Sequence, residues 1–360
     1  MEGNIKMSAG KGRTQWYGAR RCGSILAAAA TAWAVMIAGE SRAAQDSAGF
    51  AFRDEPGKYL DVLLNGKTAA RYMYAYDPSS SPKSLTSTNN TYLHVFDAQG
   101  KAPISNGPFG EFAHHRGIMI GWTKLTNKDK VHNFWGMYNN AQIHSKFSVR
   151  DADTEHATFT SMVDWVTKSG DTVISEERTM TFHSAAAPVY LIIDFTSKLT
   201  ACSGDVELNG DPEHGGVQFR AADGIDRAKT VYVYPGENVN PRQSLDPAWV
   251  GETFSLNGKM YSSVQMNHPS NPQGSKISAY RNYGRFGYFP KPTTIKSGES
   301  FVLRYRFLAA EGAMPAAGTI QQVCNAFTGR SNPVPPVTVR PADQPAPPKA
   351  KSAAKAKTSK

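Results

Sequence analysis

The feature that most constrains this 360-residue chain is a succession of short β-type runs, each closed by a turn signal, between Tyr59 and Phe307. Two of those turns announce their own geometry. Tyr59–Leu64 stops at Asn65-Gly66 and returns through Arg71–Tyr76, while Thr253–Leu256 stops at Asn257-Gly258 and returns through Met260–Met266. Asn-Gly accepts positive φ at both central positions of a two-residue hairpin, the turn whose twist matches paired strands. Further runs rich in β-branched and aromatic residues lie at Tyr92–Phe96, Ile118–Trp122, Ile143–Val149, Ala157–Val166, Val173–Phe182, Val189–Leu199, Val217–Arg220 and Val231–Tyr234. Phe301–Phe307 alternates Phe301, Leu303, Tyr305 and Phe307 with Arg304 and Arg306, the period of two expected of a half-buried strand. Helical periodicity is scarce, and Thr319–Phe327 predicts one short C-terminal helix. So many consecutive strands predict an all-β fold, a large antiparallel β-sandwich, with a propeller or β-helix as the weaker alternative because no repeat is visible.

The two ends have a different character from this middle. Residues 1–43 read as a signal peptide: Arg20-Arg21 precedes the apolar stretch Ile25–Ala38, and Ser41-Arg42-Ala43 offers the small residues a cleavage site needs. Cys22-Gly23-Ser24 after the arginine pair favours ordinary secretion over twin-arginine export. No later stretch approaches the ~20 apolar residues of a membrane span, so a mature, exported protein, periplasmic or secreted, is expected. From Ser331 to Lys360 the chain is Pro, Ala, Lys and Ser, a composition expected to stay disordered. The domain proper is then 44–330. Of the formal charge of +10, the leader carries +4 and the tail +5, leaving the middle nearly neutral. That balance argues against nucleic acid as a partner, because phosphate recognition rests on clustered Lys and Arg. Without Cys22, Cys202 and Cys324 remain, to be read either as one disulfide or as two isolated buried thiols.

Three histidine-bearing segments carry the candidate chemistry. The first is His114-His115-Arg116-Gly117, followed by Trp122 and by Asn133-Phe134-Trp135. Imidazole moves protons near neutral pH, guanidinium clamps carboxylates or hydroxyls, and indole offers an apolar face. Adjacent side chains on a strand point to opposite faces, so His114 and His115 serve one pocket only on irregular backbone, which Asn106-Gly-Pro-Phe-Gly110 supplies. Otherwise one is a buried structural group, and Arg116 pairs with an internal acid such as Glu111. The second is Asp211-Pro-Glu213-His214-Gly-Gly216, an acid and base at the start of a strand, or simply a turn. The third is Asn267-His268-Pro-Ser-Asn271-Pro272, whose prolines fix a loop. No HxH or HExxH ligand spacing, nucleophile elbow, phosphate-cradling loop or dinucleotide fingerprint occurs, so neither metal nor cofactor is expected.

Taken together, His114-His115-Arg116-Gly117-Ile118, Gly121-Trp122, Asn133-Phe134-Trp135, His268-Pro-Ser-Asn271-Pro272 and Arg281-Asn-Tyr-Gly284 resemble a bacterial family of exported proteins. Its members carry the label "methane oxygenase PmoA" or only a domain-of-unknown-function name, and the likeness spans residues 55 to 310. The label conflicts with this chain, since the particulate methane enzyme is an integral membrane protein. The sequence departs from the usual pattern at Gln273-Gly-Ser275, where members often read Pro-Trp. The resemblance implies a protein of glycan-degrading organisms and, by fold analogy alone, a supersandwich similar to galactose mutarotase. On that footing the expected function is acid–base catalysis on a glycan or glycoside, as hydrolase, lyase or epimerase. His114, His115, Glu213 and His214 would be catalytic, with Arg116, Trp122, Trp135, His268, Asn271 and Arg281 binding substrate. A noncatalytic sugar-binding or cell-surface protein is the competing expectation, and a metal-dependent oxygenase the remote one. Oligomeric state has no signal in the sequence.

Overall fold

The computed structural model describes residues 48–78 and 88–343; the leader and the end of the tail lie outside them. The strands are, in chain order, β1 (Phe50–Glu55), β2 (Tyr59–Leu64), β3 (Lys67–Met73), β4 (Tyr92–Val95), β5 (Ile118–Trp122), β6 (Lys124–Asn127), β7 (Lys130–His132), β8 (Ala141–Ala152), β9 (His156–Val166), β10 (Thr172–Ser184), β11 (Val189–Ala201), β12 (Val206–Asn209), β13 (Gly215–Arg220), β14 (Val231–Pro235), β15 (Trp249–Leu256), β16 (Lys259–Asn267), β17 (Lys276–Arg281), β18 (Arg285–Phe289), β19 (Thr293–Ile295), β20 (Ser300–Glu311) and β21 (Val337–Pro341). A helix, α1 (Ala317–Thr328), falls where the sequence places it. An eight-stranded sheet runs β1-β2-β3-β4-β5-β13-β18-β17, a nine-stranded sheet β21-β14-β15-β16-β20-β11-β10-β9-β8, and a small third sheet β19-β12-β6-β7. All named strand pairs are antiparallel. Both Asn-Gly turns have positive φ at both residues, 50° and 75° at Asn65-Gly66 and 51° and 78° at Asn257-Gly258, as the hairpin requires.

The two large sheets pack face to face. Phe52 meets Phe159, Trp122 meets Trp165, and the Tyr72 hydroxyl donates to Ser161 Oγ at 2.9 Å across the gap. Strand alternation sends Phe195, Leu303, Tyr305 and Phe307 into this shared core. The opposite face of the nine-stranded sheet presents Trp249, Val264, Met266 and Leu308, which α1 covers with Ile320 and Cys324. The second large sheet is thus buried on both sides along β15, β16 and β20.

Two expectations are corrected here. The segment from Ser331 is not wholly unstructured, since Val337–Pro341 pairs with β14 from Val231↔Pro341 to Pro235↔Val337 and supplies the sheet's edge. Its composition hid this because Val337, Thr338 and Val339 form a strand too short to outweigh the prolines around it. Cys202 and Cys324 are isolated thiols, the second of the two alternatives, but only Cys324 is buried, on the sheet-facing side of α1, while Cys202 is exposed just after β11.

Candidate functional site

β5, β13 and β18 are buried along their whole length. Ile118, Ile120, Trp122, Val217, Phe219, Phe286 and Tyr288 belong to the core, so by the period of two the outer face carries Met119, Gly121, Gln218, Arg220, Arg285 and Gly287. Polar groups on a covered outer face are the mark of a built site. Glycines make the cover possible: a Cβ at Gly121 would stand 2.2 Å from the Phe134 carbonyl oxygen, so Phe134 and Trp135 lie directly on the sheet.

The turn after Phe109 folds back over this face. His115 N–H donates to the Phe112 carbonyl at 2.9 Å, and Asn106 Nδ2 donates to the His115 carbonyl at 3.0 Å. Freed from strand alternation, the His114 and His115 rings sit 4.1 Å apart. The His115 ring lies 5.6 Å from Trp135, 5.9 Å from Tyr283 in a stacked arrangement, and 6.5 Å from His214. The first and second histidine segments therefore converge.

His214 is half-exposed, and its Nδ1 pairs with the Asp211 carboxylate at 2.9 and 3.1 Å. That contact fixes Nδ1 as the donor and leaves Nε2 as the acceptor. His114 is pushed down to about 4, first by burial and then by the charges of His214, Arg116, Arg285 and Arg220. Burial, followed by Arg285, pushes His115 far below the usual histidine range. Both are neutral at pH 7. Among the described residues, neither ring nitrogen of the buried His115 has a hydrogen-bond partner, nor has Trp135 Nε1 or Arg285 Nη2. Buried polar atoms are normally hydrogen-bonded, so His115 and Trp135 mark the place in the cluster where polar capacity is left over.

Glu213 takes a different part from the expected base or nucleophile. Arg281 binds both its oxygens at 2.7 to 3.0 Å, the Tyr280 hydroxyl donates to Oε1 at 2.8 Å, and Arg285 stands 3.6 Å away. Burial would raise its carboxyl, but the hydrogen bonds from Arg281 and Tyr280 and the charges of Arg285 and Arg281 hold it below the usual range. A carboxylate so satisfied is a weak base, and Arg281, occupied by it, is correspondingly a poor substrate clamp.

Other expected binders are placed elsewhere. Trp122 is buried in the sandwich core and cannot stack on a ligand. Trp135 is buried as a wall beside His115 rather than an open platform. Arg116 is buried, with Nε donating to the Ala113 carbonyl and its guanidinium 5.7 Å from the Tyr92 ring centre; Glu111 pairs with Arg227 instead. His268 and Asn271 do not join the cluster. His268 packs on Phe327 of α1 and bonds Ser270, while Asn271 ties its loop to Arg304 of β20 through both its amide atoms. Sequence reasoning missed Gln218, Tyr280, Tyr283 and Arg285. The available signal was alternation in Gly216-Val-Gln-Phe-Arg220 and Arg285-Phe-Gly-Tyr288, where polar side chains and glycine share the face opposite the apolar residues.

Beside the imidazoles opens a cavity of about 410 Å³, in the range of small-molecule sites, lined by His114 with Tyr76, Asn89, Tyr138, Asn139 and Asn140 among others. His114 is the link between cavity and cluster. The loop on its far side is held in an unusual backbone: Met137, Tyr138 and Asn139 have φ of 65°, 33° and 72°. Left-handed conformation costs non-glycine residues about 1–2 kcal/mol each, and such strain gathers at ligand sites.

In sequence, residues 59–325 match the family of unknown function DUF6807. No curated protein matches the chain. Among solved structures of similar shape is a mutant of heparan sulfate lyase HepC from Pedobacter heparinus, with 8% identity, a TM-score of 0.38, and coverage of 74% of this chain and 37% of the lyase. This chain thus spans little more than a third of that protein. The GalM/aldose epimerase homologue from C. elegans is similar at 9% identity and a TM-score of 0.31, over 75% of this chain and 100% of its own. Galactose 1-epimerase from Lactobacillus acidophilus NCFM is similar at 11% identity and a TM-score of 0.28, over 73% and 95%. By the extent of the sequence match, the chain belongs to the DUF6807 family.

Proposed function

We propose that this DUF6807 protein is an exported carbohydrate-active protein that transfers protons on a sugar ring, as an epimerase or lyase does. The observation that carries this reading is the convergence of His114, His115 and His214, with His214 oriented by Asp211 and His114 on the wall of the adjoining cavity. In this scheme His214 Nε2 takes a proton from the substrate, and Asp211 stabilises the imidazolium that forms. Neutral His114, on the cavity wall, donates an N–H to the oxygen that gains charge. Glycoside hydrolysis has less support. It calls for two carboxyl groups flanking the bond, whereas Glu213 is bound by Arg281, Asp211 by His214, and Glu177 by Lys198 on the other sheet. Asp164 also lies on that other sheet. Export rests on the leader sequence alone, and N-terminal sequencing of secreted protein, expected to begin at Ala44, checks it.

The test follows mutarotation of α-D-galactose and α-D-glucose by polarimetry, and release of unsaturated uronides from polygalacturonate by ultraviolet absorbance. One of these rates should rise in proportion to protein. His214→Gln and Asp211→Asn should each lower it by roughly 10²-fold or more, with unchanged melting, because both side chains are half-exposed. If no rate rises although saccharides bind, the noncatalytic sugar-binding reading replaces this one; the full satisfaction of Glu213 favours it.

A further inference from the structure

With Trp122 and Trp135 buried, the cavity lacks the aromatic platform expected from the sequence, but another residue stands in that position. Tyr138 is 72% exposed at the cavity rim. Its ring lies against the backbone of Gly136, close enough that a Cβ there would come within 2.6 Å of Cε2. Its backbone is equally fixed. Asn133 Oδ1 accepts from the N–H groups of Trp135 at 3.0 Å and Gly136 at 2.7 Å, and Asn140 Nδ2 donates to the Asn133 carbonyl at 2.9 Å. Met137 is buried and anchors the loop from below, and its carbonyl accepts from Asn140 N–H at 2.6 Å. A single exposed aromatic ring is common on protein surfaces and implies no function by itself. Here three successive left-handed residues and a glycine seat are arranged to hold one beside a cavity that also presents Asn139 and His114.

We propose that Tyr138 is the sugar-stacking platform of this site: the apolar C–H face of a pyranose lies on its ring, with the hydroxyls directed to Asn139 and His114. Aromatic rings pair an apolar face with low conformational cost, which suits the axial C–H groups of such a sugar. The assignment rests on the carbohydrate reading above and names the residue by which the ring is held.

Saturation-transfer NMR tests it with the methyl pyranosides of glucose, galactose and mannose, plus free glucuronate, as probes. Wild type should transfer saturation most strongly to the protons of one pyranose face. Tyr138→Ala should weaken binding roughly tenfold or more, while Tyr138→Phe and Tyr138→Trp retain it. Gly136→Ala, which displaces the ring without removing it, should weaken binding at unchanged melting. Equal binding by wild type and Tyr138→Ala overturns the platform and leaves the carbohydrate reading standing. No transfer to any probe in wild type overturns both.

Discussion

His114 and His115 show how much one residue's neighbours decide. Their adjacency in sequence says that imidazoles are present, but only the turn from Phe112 puts both rings on one side, and only the His214 ring, nearly a hundred positions later, makes a cluster of them. His268 shows the converse. Its loop reads like the other two, yet β16 and β20 carry it toward α1, a long-range placement that no local signal encodes. Glycine is informative at this scale where backbone crowds it. Gly216 has φ of 82°, and a Cβ there would stand 2.0 Å from the Tyr288 carbonyl oxygen. Gly216→Ala should therefore cost about 2–4 kcal/mol, from left-handed strain and overpacking together, measured as a lower urea midpoint.

At the scale of elements, the hairpins were legible because Asn-Gly dictates its turn, and the long strands because alternation persists over many residues. β17 and β18 were not foreseen, since their outward positions hold Arg285, Gly287 and Tyr280, which interrupt an apolar reading. β6, β7, β12 and β19 are three or four residues long, too short for periodicity to register. α1 separates stability from the site. Ile320 is fully buried against the face of the nine-stranded sheet remote from the eight-stranded one. Ile320→Ala should lose about 2–5 kcal/mol by denaturant unfolding, while saccharide affinity measured below the transition stays unchanged.

For the whole molecule, buried titratable groups set opposing pH dependences. Glu252 lies within the sandwich, and burial lifts it to about 8 against the opposing charges of Arg220 and Arg285. The folded chain holds a proton there that the unfolded chain releases near pH 4.5, so this contribution is intact at low pH and lost as pH rises toward 8. His94, His114 and His144 are each pushed down to about 4, in each case first by burial. Their contribution is intact above pH 6.5 and is lost as pH falls toward 4. Stability should therefore peak between these limits. Glu252→Gln should gain on wild type by up to about 1.4 kcal/mol per pH unit between pH 5 and 8, as urea unfolding at several pH values would record; a constant difference would refute the assignment.

The site and the core occupy opposite faces of the same strands, with Val217 and Phe219 turned inward while Gln218 and Arg220 turn outward. Neighbouring codons in β13 thus answer to different demands, one set to folding and the other to chemistry. A library that randomises only Tyr138 and Asn139 at the cavity rim, and leaves both the inward positions and the buried Gln218 alone, would explore new ligands without touching the core.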